Sequence, residues 1–129
     1  MLAVLLAGPA VAYVAAAEPA VRVTKVGIDH SAFDPGSFEF EAGERVRFVI
    51  HNHDPIDHEF ILGDEEVQAR HESGSEPDHG AIPGEVSIDA GETRTTTYVF
   101  DEPGTLIIGC HLPGHYDYGM RAGVTVEAT

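Results

Sequence analysis

The chain has 129 residues, enough for one domain built around a single modest core. Seven Lys and Arg oppose 22 Asp and Glu, a formal charge of -15. That surplus argues against nucleic acid and anionic membrane surfaces as partners, and suits a soluble protein that meets cationic ones.

Residues 1–17 carry no charge and are dominated by Ala, Val and Leu. The run is shorter than the roughly 20 apolar residues of a spanning helix. Ala15-Ala16-Ala17 before Glu18-Pro19 offers a small-residue cleavage site, so an export signal is expected, with an uncleaved membrane anchor as the alternative. No Lys or Arg precedes Arg22, which leaves the positive start of an ordinary leader missing. A single domain is expected over residues 18–129.

Strand signals fill most of that domain. Val21, Val23, Lys25-Val26 and Ile28 alternate imperfectly up to Asp29-His30, and Phe38 and Phe40 alternate before the turn Glu41-Ala42-Gly43-Glu44. Val46, Phe48 and Ile50 follow, then His58, Phe60 and Leu62 on one face of the next run. Residues 64–84 break the rhythm with a long polar loop rich in His and acids, able to hold one helical turn near Glu65 to Arg70. Val86-Ser87-Ile88, the turn Asp89-Ala90-Gly91-Glu92, Thr93 through Phe100, Thr105 through Ile108 and Val124-Thr125-Val126 complete the pattern. Short period-two strands separated by Gly, Pro and Asp turns predict an all-β antiparallel sandwich or barrel.

Cys110 is the sole cysteine, so it has no internal disulfide partner and reads as a metal ligand. It opens the loop Cys110-His111-Leu112-Pro113-Gly114-His115-Tyr116-Asp117-Tyr118-Gly119-Met120. A thiolate, an imidazole and a thioether at five-residue spacing are donors suited to copper, which takes two His, one Cys and a long axial Met in its electron-transfer sites. Pro113-Gly114 bends the loop so that His115 returns to the metal, and Gly119 eases the approach of Met120. The second imidazole must come from upstream, where His30, His51, His53, His58, His71 and His79 are available. His58 is preferred because it shares a strand face with the apolar Phe60 and Leu62, where an imidazole needs a partner. His53, at a strand end, is the alternative.

The stretch from Asn52 to Phe60, together with Cys110-x4-His115-x4-Met120 before a last strand, resembles the cupredoxin family of small blue copper proteins. The resemblance spans about Val21 to Glu127. It implies an eight-stranded Greek-key sandwich, one type 1 copper and outer-sphere electron transfer. Carried over by position, its ligands are His58, Cys110, His115 and Met120. Much of the family has Pro before the first His, Asn or Ser after it, and Ser or Thr after the Cys. Here Asp57, Glu59 and His111 stand at those places. Alternation turns Glu59 and His111 away from the metal, and a charge-assisted bond between their side chains is expected. Leu112, Pro113 and Gly114 are expected to form an uncharged electron port around His115.

These residues lead to an exported, monomeric, non-enzymatic carrier of single electrons. Its partners are expected to be redox proteins with a cationic docking surface, and it touches a membrane only if the leader stays uncleaved. The rival reading is copper sequestration or delivery, with a second metal site at His71 and His79 aided by Glu72 or Glu76.

Overall fold

The computed structural model describes Gly8, residues 10–74 and residues 78–129. Part of the expected leader, residues 1–7 and 9, and Glu76 of the expected loop site lie outside the described residues. Among the described residues, no helix is long and apolar enough to cross a membrane.

Period-two patterning decides which face of each strand is buried. The strands are β1 (Val21–Asp29), β2 (Ala32–Asp34), β3 (Ser37–Glu41), β4 (Arg45–Asn52), β5 (His58–Gly63), β6 (Glu85–Ile88), β7 (Thr93–Val99), β8 (Gly104–Gly109) and β9 (Arg121–Glu127), with one helix, α1 (Glu65–Glu72), between β5 and β6. Burial alternates strictly in β3 and β9, so Phe38, Phe40, Ala122, Val124 and Val126 point inward and their neighbours face water. One sheet has the order β2-β1-β4-β7 and the other β3-β9-β8-β5-β6. The layer between them is aromatic: Phe40 stacks on Phe100 at 4.6 Å, and Phe48 tilts against Phe60 at 5.2 Å.

Two details differ from the sequence reading. There are nine described strands rather than eight, because Ala32-Phe33-Asp34 folds back on β1 through a turn with His30 and Ser31 at φ 51° and 54°. Neither residue is a glycine, so the sequence there lacks the Gly or Pro that marks the other turns. The sandwich is also not wholly antiparallel, since β1 runs parallel to β4 and β3 parallel to β9.

The 64–84 segment holds two helical turns, more than the one expected. Asp64 caps α1 by accepting the Val67 N–H at 2.9 Å; Glu65 and Glu66 occupy its first turn and Arg70 and His71 its last, matching the helix dipole. The helix lies on the outer face of β5 and β8. Gly63 permits this, because a Cβ there would sit 2.6 Å from Val67 Cβ. Buried Gln68 fastens the contact by donating its amide to Ile61 O at 3.0 Å and Ile107 O at 2.8 Å. All six residues of β5 are therefore buried, His58, Phe60 and Leu62 toward the core and the alternate ones toward the helix side.

Candidate metal centre

Strand ends and one tight loop assemble the first cluster. His58 begins β5, Cys110 follows β8, and Met120 precedes β9. Cys110 N–H donates to Met120 O at 3.1 Å and Met120 N–H to His115 O at 3.0 Å, so the loop is cross-tied at both ends. Between them the His115 N–H bonds to Leu112 O at 2.9 Å, and Gly114 and Gly119 adopt φ 82° and 99°, which only glycine takes without strain.

The donors converge. Cys110 Sγ lies 3.3 Å from His115 Nδ1 and 3.9 Å from His58 Nδ1, and the two imidazole nitrogens are 3.3 Å apart. Bonds of about 2.0–2.3 Å to one ion, opened by about 120°, separate such donors by roughly 3.5–3.7 Å. The triangle therefore fits a trigonal metal site. His58, Cys110 and Met120 are 1%, 0% and 2% exposed, whereas His115 is partly exposed. The sequence-preferred His58 is in the cluster. His53 is not: its ring packs against His51 at 4.2 Å.

Each donor is prepared by its surroundings. Asp54 Oδ2 accepts the Nε2–H of His58 at 2.7 Å, which leaves a lone pair on Nδ1 facing the thiol. Burial opposes the Asp54 charge, yet hydrogen bonds from Ser31, His58 and His30 outweigh it and hold the carboxyl below its ordinary value. Burial, reinforced by His58, keeps His115 below the usual imidazole range, so it stays neutral and free to ligate. Burial pushes the Cys110 thiol up to about 11, against the N–H groups of Leu112 and Glu59 and with the carboxylates of Glu59 and Glu72. A metal ion bound there would replace that proton and stabilise the thiolate. The Glu59 N–H, 3.3 Å from Sγ, then supports the anion.

Glu59 and His111 do meet, although not ring to carboxylate as expected. Glu59 Oε2 accepts the backbone N–H of His111 at 3.2 Å. The His111 ring instead lies between Glu72 Oε2, 2.5 Å from Nδ1, and Gln68 Oε1, 2.6 Å from Nε2, and stacks on Tyr116. The physical reason is α1, which carries two better-placed acceptors across the outer face of β8. Leu112, Pro113 and Gly114 surround His115 in the loop, with Leu112 packed partly into the core and Pro113 exposed. His71 and His79 come together at 5.2 Å between ring centroids and gain Glu85 as a neighbour.

Sequence reasoning missed Asp54, Gln68 and Glu85. Asp54 stands four residues before His58, a spacing that draws no attention in so acidic a chain.

A two-sheet sandwich with a buried thiol, two imidazole nitrogens and a thioether gathered at strand ends defines a cupredoxin, and the cluster resembles a type 1 copper site. The profile of copper binding proteins of the plastocyanin/azurin family matches residues 20–127, and the chain belongs to that family. It is 37% identical over 116 residues to the copper-resistant cuproprotein CopI of Rubrivivax gelatinosus, covering 88% of this chain and 69% of that protein. The copper-resistant cuproprotein CopI of Pseudomonas aeruginosa is 30% identical over 145 aligned positions, 88% of this chain and 80% of its own. Among solved structures, auracyanin B superposes with a TM-score of 0.69 at 24% identity, covering 88% of this chain and 93% of that one, a likeness of fold.

Proposed function

We propose that His58 Nδ1, Cys110 Sγ, His115 Nδ1 and the Met120 thioether hold one copper ion, and that the protein passes single electrons between redox partners outside the cytoplasm. The observation that carries this reading is the buried triangle of one sulfur and two imidazole nitrogens, 3.3–3.9 Å apart. Copper held there supplies a one-electron couple: sulfur donors favour Cu(I), and imidazoles also suit Cu(II). The cross-tied loop and the Asp54 bond fix the donors, so little moves when the charge changes. Burial of His58, Cys110 and Met120 keeps water from the metal, and partly exposed His115 is the route outward. Pro113 and the flanking Leu112 and Gly114 give that route an uncharged rim fit for brief docking, while the acidic remainder steers cationic partners. Export agrees with the apolar leader and the lone thiol. No substrate-sized cavity is needed for this task, and a monomer suffices.

Copper-loaded protein should show an intense thiolate-to-copper absorption with narrow copper hyperfine splitting and a reversible one-electron titration. Cys110→Ser should abolish the colour, His58→Ala should remove or transform it, and His53→Ala should leave it. Loss of the band in His53→Ala with retention in His58→Ala overturns the ligand set.

A second reading, copper sequestration or delivery, is favoured by the names of the two CopI relatives and by the cluster of His71, His79 and Glu85. Reduction in the presence of a Cu(I) chelator separates the two. Copper kept through repeated cycles supports the carrier, and copper surrendered at the first reduction supports delivery.

A further inference from the structure

We propose that His71, His79 and Glu85 form a second metal site, for a divalent d-block ion and Cu(II) above all, on the outer face of the sheet behind the first cluster. Their donor atoms, one from each residue, lie within 4.8 Å of one another. Glu85 Oε2 is the shared vertex, 3.1 Å from His71 Nε2 and 3.7 Å from His79 Nδ1. Donors on a common ion at tetrahedral angles sit roughly 3.3 Å apart when the bonds are about 2.0–2.1 Å long. The three side chains are 10%, 5% and 9% exposed, so this is a built site rather than a surface scatter.

Hydrogen bonding at His71 requires a positive species in the middle. Its Nδ1 lies 2.8 Å from Val67 O, a carbonyl that can only accept, so Nδ1 carries the proton. The lone pair of Nε2 then faces a carboxylate oxygen, which also only accepts. A second proton on the ring or a metal ion satisfies that geometry, and a metal ion there also has His79 Nδ1 within reach as a third donor. Backbone carbonyls and carboxylates behind the far ring nitrogen are the usual support of ligating histidines. Val67 O plays that part for His71. Glu59 Oε1, 3.6 Å from His79 Nε2, stands on the corresponding side of His79.

A pocket of about 210 Å³, bordered by Glu59, His71, His79, Glu85 and His111, opens this cluster to ions. Exposed Arg70 also borders this pocket, together with the carboxylates of Glu59 and Glu85. The donor set contains no sulfur, so it selects Cu(II) over Cu(I), and the order of divalent affinities places Cu(II) first and Zn(II) below it. Glu59 connects the two centres. Its carboxylate backs His79 and accepts from the His111 backbone, while its own N–H points at Cys110 Sγ.

Titration of wild-type protein with Cu(II), followed by absorption, paramagnetic resonance and bound-metal count, tests the proposal separately from the first site. The thiolate band should saturate with one equivalent, and a second equivalent should add a signal of wide copper hyperfine splitting without adding to the band. His79→Gln and Glu85→Gln should keep the band, which certifies the fold, and lose the second signal. His71→Gln replaces either variant if it loses the band. Glu59→Gln should weaken the second site about 10- to 100-fold. A missing thiolate band counts against the first site alone. Absence of the second signal from wild type, or its persistence with unchanged affinity in the cluster variants, overturns the second site.

Discussion

Asp54 Oδ2 lies 2.7 Å from His58 Nε2, and the same carboxylate accepts the N–H groups of His30 and Ser31 at 2.7 and 2.8 Å. One side chain thus holds an imidazole that faces the Cys110 thiol and a turn whose two non-glycine residues sit in left-handed backbone, at roughly 1–2 kcal/mol each. Asp54→Ala removes the acceptor of all three hydrogen bonds and should destabilise the metal-free protein by about 2–3 kcal/mol. Asp54→Asn keeps part of the bonding and should weaken copper affinity by roughly 10- to 100-fold, as loss of an orienting partner does. Chemical denaturation and competition with a chelator check the two values. Because its folded pKa is lowered, Asp54 contributes stability that is present above the ordinary carboxylate range and lost as pH falls through the lowered value.

Copper uptake should release a proton from the Cys110 thiol, whose pKa is about 11. His115 contributes none near neutrality, because its own pKa is lowered. Apparent affinity should rise about tenfold per pH unit between pH 8 and 10 wherever the thiol proton is the one displaced. Calorimetry in buffers of different ionisation enthalpy measures that proton. The metal-free protein should show the opposite trend: a raised thiol pKa stabilises the fold below the ordinary thiol value, and this contribution is lost as pH rises toward 11.

The first cluster was legible because its chemistry is compressed into one loop. Cys110, His115 and Met120 are local in sequence, and the β5 alternation of His58, Phe60 and Leu62 points the fourth residue inward. The strands were legible for the same reason, since period-two burial is a local signal. What escaped was nonlocal. The parallel pairings β1–β4 and β3–β9 depend on how distant strands meet. Helix α1 has no apolar stripe, because it is fastened by an amide: Gln68 reaches the carbonyls of Ile61 and Ile107. Glu85 joins His71 only because β6 pairs with β5 beside that helix. The expected Glu59–His111 ring pairing failed for the same cause, as α1 supplies Glu72 and Gln68 instead.

Gln68→Met tests that fastening. The thioether has similar length but donates nothing, so two carbonyls lose a donor and His111 Nε2 loses an acceptor. The expected cost is about 1–3 kcal/mol. None of the four residues proposed to hold the first copper is bonded to Gln68, so the thiolate band should survive. The second site should weaken, since the helix that carries His71 loosens. Thermal melting and the two copper signals follow these effects separately. Unchanged stability would mean that α1 is held by apolar contacts alone.

Electron exchange should be most sensitive at the rim of His115. Of the four residues in the first cluster only His115 is partly exposed, and Leu112, Pro113 and Gly114 beside it carry no charge. A carboxylate placed there must be desolvated each time a partner docks, and it adds repulsion toward acidic partners. Pro113→Glu, at an exposed position, should slow self-exchange by about 10- to 100-fold. Leu112→Glu should do the same, with some loss of stability because Leu112 also packs against the core. Neither change touches a donor atom, so absorption and hyperfine splitting should stay as in wild type. With a cationic partner, rates should fall as salt rises, because the net charge of -15 steers the encounter. Stopped-flow measurements across ionic strength read both effects. If neither variant slows exchange while the spectra are unchanged, electrons do not leave through His115.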